Sequence, residues 1–226
     1  MVQSTLNSAG PPCRAAGARA VEALRREKVI GVPTDTIYGL AASACSEKGI
    51  QRLYEAKQRA YHVPLAVCVG EASDVSKYAD VAHLNPGLLE ELLPGPITLL
   101  LRRKTDDTPL SSALNPDAAL LGIRVPDSEF IRAVSRAYGH AIALTSANAS
   151  GKPSTLAVEE FEHLWSECAG VFDGGRIAAT RAGSTIVDLS VPGEFSVARA
   201  GEACEAIQET LRRYGIERKR VPGEGE

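Results

Sequence analysis

Two short polar pairs in this sequence have the composition of an anion-binding site. Lys57-Gln58-Arg59 sets an ammonium and a guanidinium two residues apart, and Ser146-Ala147-Asn148 sets a hydroxyl and a carboxamide at the same spacing. Residues i and i+2 lie about 200° apart around a helix but on one side of an extended strand, so each pair is expected to converge in extended backbone. Arginine offers oxyanions a planar fork and lysine a compact point charge, which suits phosphate or carboxylate in a cleft. Taken alone, Lys-x-Arg also describes an ordinary solvated face. A third stretch, Gly31-Val32-Pro33-Thr34-Asp35-Thr36-Ile37-Tyr38-Gly39-Leu40, ends an apolar run at a proline and opens into hydroxyls, a carboxylate and a phenol. Thr and Asp serve common turns in the same way, so its meaning depends on what it is placed beside.

The elements that must position these groups alternate along the chain. Val29, Ile30 and Val32 are β-branched and read as a strand, closed by Pro33, while Gly39 permits a tight return. Ile50, Leu53, Tyr54 and Lys57 fall at i, i+3, i+4 and i+7, which predicts a helix over residues 47–56. Further strands are predicted at 65–69, 97–101, 120–125, 141–145, 171–173, 185–189 and 195–198. Helices are predicted through Leu84, Leu88, Leu89 and Leu92, through Phe130, Ile131, Val134 and Tyr138, through Val158, Phe161, Trp165 and Cys168, and through Ile207, Leu211 and Tyr214. With no long helix between the last two strands, antiparallel pairing is expected there, so the sheet is mixed. Residues 104–118, rich in Asp, Thr, Ser and Pro without an apolar period, read as a mobile surface loop, either passive or a cover that orders over bound substrate.

The fold class is α/β, a twisted mixed sheet with flanking helices, in one domain over residues 14–215 with flexible termini at 1–13 and 216–226. The 226 residues are 44% hydrophobic, enough for a sizeable core. The balance of 25 basic against 28 acidic residues gives net −3, so nothing global marks a nucleic-acid or membrane binder. Five scattered cysteines and four histidines show no metal-ligand spacing, which fits reduced thiols in a cytosol-like compartment without structural zinc. The first 21 residues carry Arg14 and Arg19 and no acid before Glu22, a composition shared by organelle-targeting segments and by frayed termini.

Two apparent motifs are set aside. Gly151-Lys152 lacks the first glycine of a phosphate-binding P-loop, since Ser146 stands there and Pro153 follows the lysine. Asn148-Ala149-Ser150 has the form of a glycosylation acceptor, but no secretory signal accompanies it. Taken together, residues 33–40, Lys57-Gln58-Arg59, Pro94-Gly95-Pro96-Ile97-Thr98, Gly122-Ile123-Arg124-Val125-Pro126, Ser146-Ala147-Asn148 with Gly151-Lys152-Pro153-Ser154, and Gly183-Ser184-Thr185-Ile186-Val187-Asp188 resemble the YrdC family of threonylcarbamoyl-adenylate synthases. The resemblance runs over residues 21–214 and is greatest to the single-domain eukaryotic members.

The resemblance implies a YrdC/RibB-like fold and a reaction in which L-threonine, bicarbonate and ATP give threonylcarbamoyl-AMP and pyrophosphate, with Mg2+ accompanying the ATP. The product would pass to a tRNA threonylcarbamoyl transferase complex that modifies the adenosine next to the anticodon. Carried over position by position, it implies threonine binding by Thr36, Arg124 and Ser184, a catalytic and ATP-phosphate tetrad of Lys57, Arg59, Ser146 and Asn148, and nucleotide binding by Arg199. No nucleophile is required, because positioning and charge stabilisation suffice for attack on the α-phosphorus. Loss of Lys57 or Arg59 is then expected to reduce turnover far more than stability. Ala60, Val63, Cys68 and Ala200 depart from the family pattern, and Cys68 reads as a small core residue. The competing reading is a non-catalytic RNA-binding module with a basic concave cleft. Cytoplasmic localisation is expected, with the mitochondrion as a second address.

Overall fold

The β-branched run becomes β2 (Val29–Val32), buried along its whole length. In the computed structural model, which describes residues 2–3, 11–57, 63–149 and 151–219, it lies inside an eleven-stranded sheet. The other strands are β1 (Val2–Gln3), β3 (Gly39–Ser43), β4 (Ala66–Cys68), β5 (Ile97–Arg102), β6 (Leu120–Arg124), β7 (Ile142–Ser146), β8 (Cys168–Phe172), β9 (Thr185–Asp188), β10 (Glu194–Arg199) and β11 (Glu217–Arg218). Their spatial order is β1-β8-β2-β3-β7-β4-β6-β5-β9-β10-β11. Pairing is mixed: β2–β3, β3–β7 and β5–β6 run antiparallel while β2–β8, β4–β6 and β5–β9 run parallel. The late pair β9–β10 is antiparallel, as the missing helix between them requires.

Five α-helices flank the sheet among the described residues: α1 (Pro11–Arg25), α2 (Glu47–Lys57), α3 (Leu88–Leu92), α4 (Glu129–Tyr138) and α5 (Cys204–Arg213). Strand alternation divides the core in two. On one face Ile30, Val32, Ala41, Cys68, Ile142 and Leu144 pack with Ala20 and Leu24 of α1 and Ile131 and Val134 of α4. On the other, Val29, Leu40, Ala42, Val67 and Ala143 pack with Ile50, Leu53 and Tyr54 of α2 and with Phe161. Strands buried on both sides lose the polar half of the period-two pattern, which is why 29–32 reads as an unbroken apolar run. Toward β6, β5 and β9, the face that α1 and α4 cover elsewhere presents Arg124, Thr98 and Ile186. These side chains line a cleft instead of a core.

Several expectations change. α2 runs through Lys57, so Lys57 is helical rather than extended, and its i+7 spacing puts it on the buried face with Ile50. Leu84 lies outside α3, because Gly87, at φ 83°, turns the chain immediately before Leu88. Residues 158–167 form a 3-10 helix kinked at Phe161; Val158, Phe161 and Leu164 are buried at the three-residue spacing of that helix, and Cys168 already belongs to β8. The expected tail from Ile216 is partly structured, since Ile216 is buried and Glu217–Arg218 pairs with β10. At the other end Val2–Gln3 pairs with β8 and α1 begins at Pro11.

The largest correction concerns residues 104–118. Residues 104–107 are exposed, but Leu110, Leu114 and Asn115 are buried. Asn115 accepts from the Leu65 backbone N–H at 2.9 Å and donates to the Leu65 carbonyl at 2.8 Å, copying a strand partner with one carboxamide. Arg103 caps the same segment by donating to the carbonyls of Ser111 and Leu114. The second half of the segment is therefore a fixed buttress under residues 63–66, and isolated Leu and Asn residues between prolines carry no period that reveals it. Asn115→Ala is expected to lower unfolding stability by about 2–3 kcal/mol, because both Leu65 groups lose their partner in a dry site. Urea denaturation reads this directly, and an unchanged midpoint would show that water replaces the carboxamide.

Candidate active site

The loop between β2 and β3 is built by one hydroxyl. Thr34 Oγ1 accepts from the N–H groups of Thr36 (3.2 Å) and Ile37 (3.3 Å) and donates to the Ile37 carbonyl (2.6 Å). Tyr38 closes the turn: its phenol donates to the Gly175 carbonyl at 2.7 Å and accepts from Gly174 N–H at 2.9 Å. Burial raises the Tyr38 pKa well above its ordinary value, so the group acts as a fixed neutral strut. At Gly39 a Cβ would stand 2.7 Å from Leu144 Cδ1 and 3.1 Å from the Thr145 carbonyl, so glycine is what lets β3 approach β7 here. That approach sets Gly39 opposite Ser146, and Ala147 N–H donates to the Tyr38 carbonyl at 2.8 Å. The loop and the Ser-x-Asn pair thus meet at one end of the sheet.

Lys57 reaches the same place from the last turn of α2. Its Nζ donates to the Ser146 carbonyl at 2.7 Å, to Asn148 Oδ1 at 2.7 Å and to the Asn148 carbonyl, with Ser146 Oγ at 3.3 Å. Lys57 is 3% exposed and Asn148 8%. Three of the four tetrad residues therefore converge across about 90 positions of sequence. Arg59 lies outside the described residues.

The cleft, with about 660 Å3 of empty volume, is floored by Ala66, Thr98, Leu144 and Ile186 and edged by Thr34, Arg124, Ser146, Ser184 and Arg199. Arg124 is 5% exposed and its Nη2 donates to Asp35 Oδ1 at 2.6 Å. Its Nε is buried without a hydrogen-bond partner among the described residues. Arg199 donates to the Ser184 carbonyl at 2.7 Å, and Ser184 Oγ lies 2.8 Å from Thr98 Oγ1. Burial, with the charge of Arg124 added, holds the Arg199 pKa below its usual value. No described carboxylate pairs with Arg199. One end of the cleft thus carries two guanidiniums above a floor of Ala66, Leu144, Ile186 and the Thr98 hydroxyl, which suits anions.

Of the expected threonine-binding residues, Arg124 and Ser184 line the cleft, whereas Thr36 is 1% exposed with its hydroxyl 3.4 Å from Arg124 Nη2. The threonines that line the cleft are Thr34, Thr98 and Thr145, none of them given a binding role from sequence. Thr98 was legible as the polar member of an apolar alternation with Ile97 and Leu99. Asp35 was quoted in its motif but given no role, because its partner lies 89 residues away. Cys68 is fully buried, with burial raising its thiol to about 12, which agrees with a core role. Among the described residues no group of three or more His, Cys, Asp or Glu could hold a metal ion.

Fold and site together define a mixed-sheet α/β domain with a cleft at the strand ends that carries two guanidiniums. The Sua5/YciO/YrdC family model, described as "Telomere recombination", matches residues 22–201, and the chain belongs to that family. It is 45% identical over 202 residues to the Bos taurus protein named threonylcarbamoyl-AMP synthase, covering 87% of this chain and 72% of that protein. The Homo sapiens protein of the same name is 44% identical over 203 residues, covering 87% of this chain and 71% of its own. Among solved structures, P. abyssi Sua5 complexed with L-threonine superposes with a TM-score of 0.75 at 27% identity, covering 95% of this chain. This chain spans 61% of that one.

Proposed function

We propose that the protein is an L-threonylcarbamoyladenylate synthase, converting L-threonine, bicarbonate and ATP to threonylcarbamoyl-AMP and pyrophosphate. The observation that carries this reading is the pairing of Arg124, whose buried Nε lacks a partner among the described residues, with Arg199 at one cleft end and the Lys57–Ser146–Asn148 cluster beside it. It gains weight from the relatives named threonylcarbamoyl-AMP synthase. Arg124 offers a fork to the amino-acid carboxylate, and the Thr98–Ser184 hydroxyl pair lines the same cleft for the substrate's polar atoms. Arg199, which pairs with no carboxylate among the described residues, supplies positive charge for the nucleotide.

The threonine amine takes up the carbon of bicarbonate, with loss of water, to give a carbamate. A carbamate oxygen then attacks the α-phosphorus and pyrophosphate leaves. The chain orients both partners and stabilises charge on the phosphoryl oxygens, as expected where no side-chain nucleophile is placed. Magnesium would supply charge neutralisation on the triphosphate. The hydroxyls of Ser146 and Ser184 and the absence of an acidic cage among the described residues fit an ion that arrives on phosphates. We assign Arg59 to the same phosphate site.

The product, a mixed anhydride, suits transfer to an adenosine amine, so we place a tRNA threonylcarbamoyl transferase downstream. Among the described residues no helix is long and apolar enough to cross a membrane, and we place the activity in the cytoplasm, with the mitochondrion as a second address. Pyrophosphate release from ATP that requires both threonine and bicarbonate tests the reading. Release without threonine, or RNA binding with no turnover, would replace it with another activity or with the binding module.

A further inference from the structure

Asp35 sits in the loop between β2 and β3 with its side chain 8% exposed. Oδ1 accepts from Arg124 Nη2 at 2.6 Å, and Oδ2 accepts from the Asp127 backbone N–H at 3.1 Å. One carboxylate therefore ties the 33–38 loop to the end of β6 and to the segment entering α4. Thr36 Oγ1 lies 3.4 Å from the same Nη2. The guanidinium is thus engaged from one side only, and its buried Nε–H is left without a partner among the described residues.

As a stabilising device this arrangement is poor. Burial raises the Asp35 pKa despite the opposing attraction of Arg124 and the Asp127 N–H. The folded chain then holds the Asp35 proton more tightly than the unfolded chain, so the carboxyl's contribution to stability falls as pH rises through that window. A buried ion pair is in any case a weak source of net stability. The strong consequence is geometric: a side chain with several rotatable bonds is pinned at one nitrogen, and a fixed remainder of its fork is left for something else.

We propose that Asp35 is a positioning residue for the amino-acid substrate, holding Arg124 by Nη2 so that the rest of the guanidinium, including the unpartnered Nε–H, receives the substrate carboxylate. The inference rests on the threonine reading and adds a residue to it. Its selectivity is expressed at the amino-acid end of the cleft, because Lys57 and Arg199 are held by other groups.

Asp35→Asn keeps the shape and the acceptor for Asp127 N–H while removing the charge that grips Nη2. The Michaelis constant for threonine is expected to rise about tenfold or more, that for ATP less than about twofold, with kcat at saturating threonine largely kept. Equal rises for both substrates would assign Asp35 a general structural role and overturn the proposal. A second measurement uses the wild-type chain: the Arg124 Nε–H signal in 15N NMR, identified by its loss in Arg124→Lys, should shift downfield on adding threonine alone. An Nε–H signal that does not move at saturating threonine overturns the proposal even if Asp35→Asn fails to fold. The underlying function fails separately, if the wild-type protein shows no threonine-dependent pyrophosphate release.

Discussion

Lys57→Met is expected to lose both activity and stability, with turnover falling about a thousandfold and unfolding free energy falling on the order of 3 kcal/mol. Methionine approximates the length of lysine and fills its channel, so the loss isolates the ammonium. That ammonium is bonded to the Ser146 carbonyl, the Asn148 carbonyl and Asn148 Oδ1 in a region nearly closed to water. Without it three acceptors are buried unpaired, and the turn carrying Ser146 and Asn148 loses its shape. The reaction implied by the resemblance led to a different expectation, turnover falling far more than stability, because it gave Lys57 only positioning and charge stabilisation to do. Urea denaturation beside the pyrophosphate assay separates the two. A variant as stable as wild type but inactive would mean that Lys57 leaves these carbonyls when substrate binds.

The second large effect belongs to Arg124. Arg124→Lys keeps one positive charge near Asp35 but removes the planar fork, so the substrate carboxylate loses its directed donors. Charge-assisted hydrogen bonds of this kind are worth about 1.5–3 kcal/mol, so the Michaelis constant for threonine should rise between about tenfold and a hundredfold. The constant for ATP should change by less than about threefold, since no described contact joins Arg124 to the Lys57 cluster. Steady-state kinetics with each substrate varied in turn reads both. Equal effects on threonine and ATP would show that the two ends of the cleft are coupled and that Arg124 serves the whole site.

What the sequence determined by itself was local chemistry and the order of the elements. β-Branched residues at 29–32, the 3.6-residue period of α2 and the proline and glycine flanking the 34–38 loop act within a few residues, and the structure has all of them. The resemblance to the family, rather than any local pattern, grouped Lys57 with Ser146 and Asn148, and the three are neighbours. The tertiary structure alone decided which atoms those groups address. Lys57 spends its donors on main-chain and carboxamide oxygens because the β3–β7 register brings the 146–148 turn over the end of α2. Asp35 takes one nitrogen of Arg124 because β6 ends opposite the β2–β3 loop, and Asn115 disappears from a polar segment into the core because the N–H and carbonyl of Leu65, just before β4, both bond its carboxamide. A side chain's partner is set by strand register and loop path across tens of residues, and no local period encodes that distance.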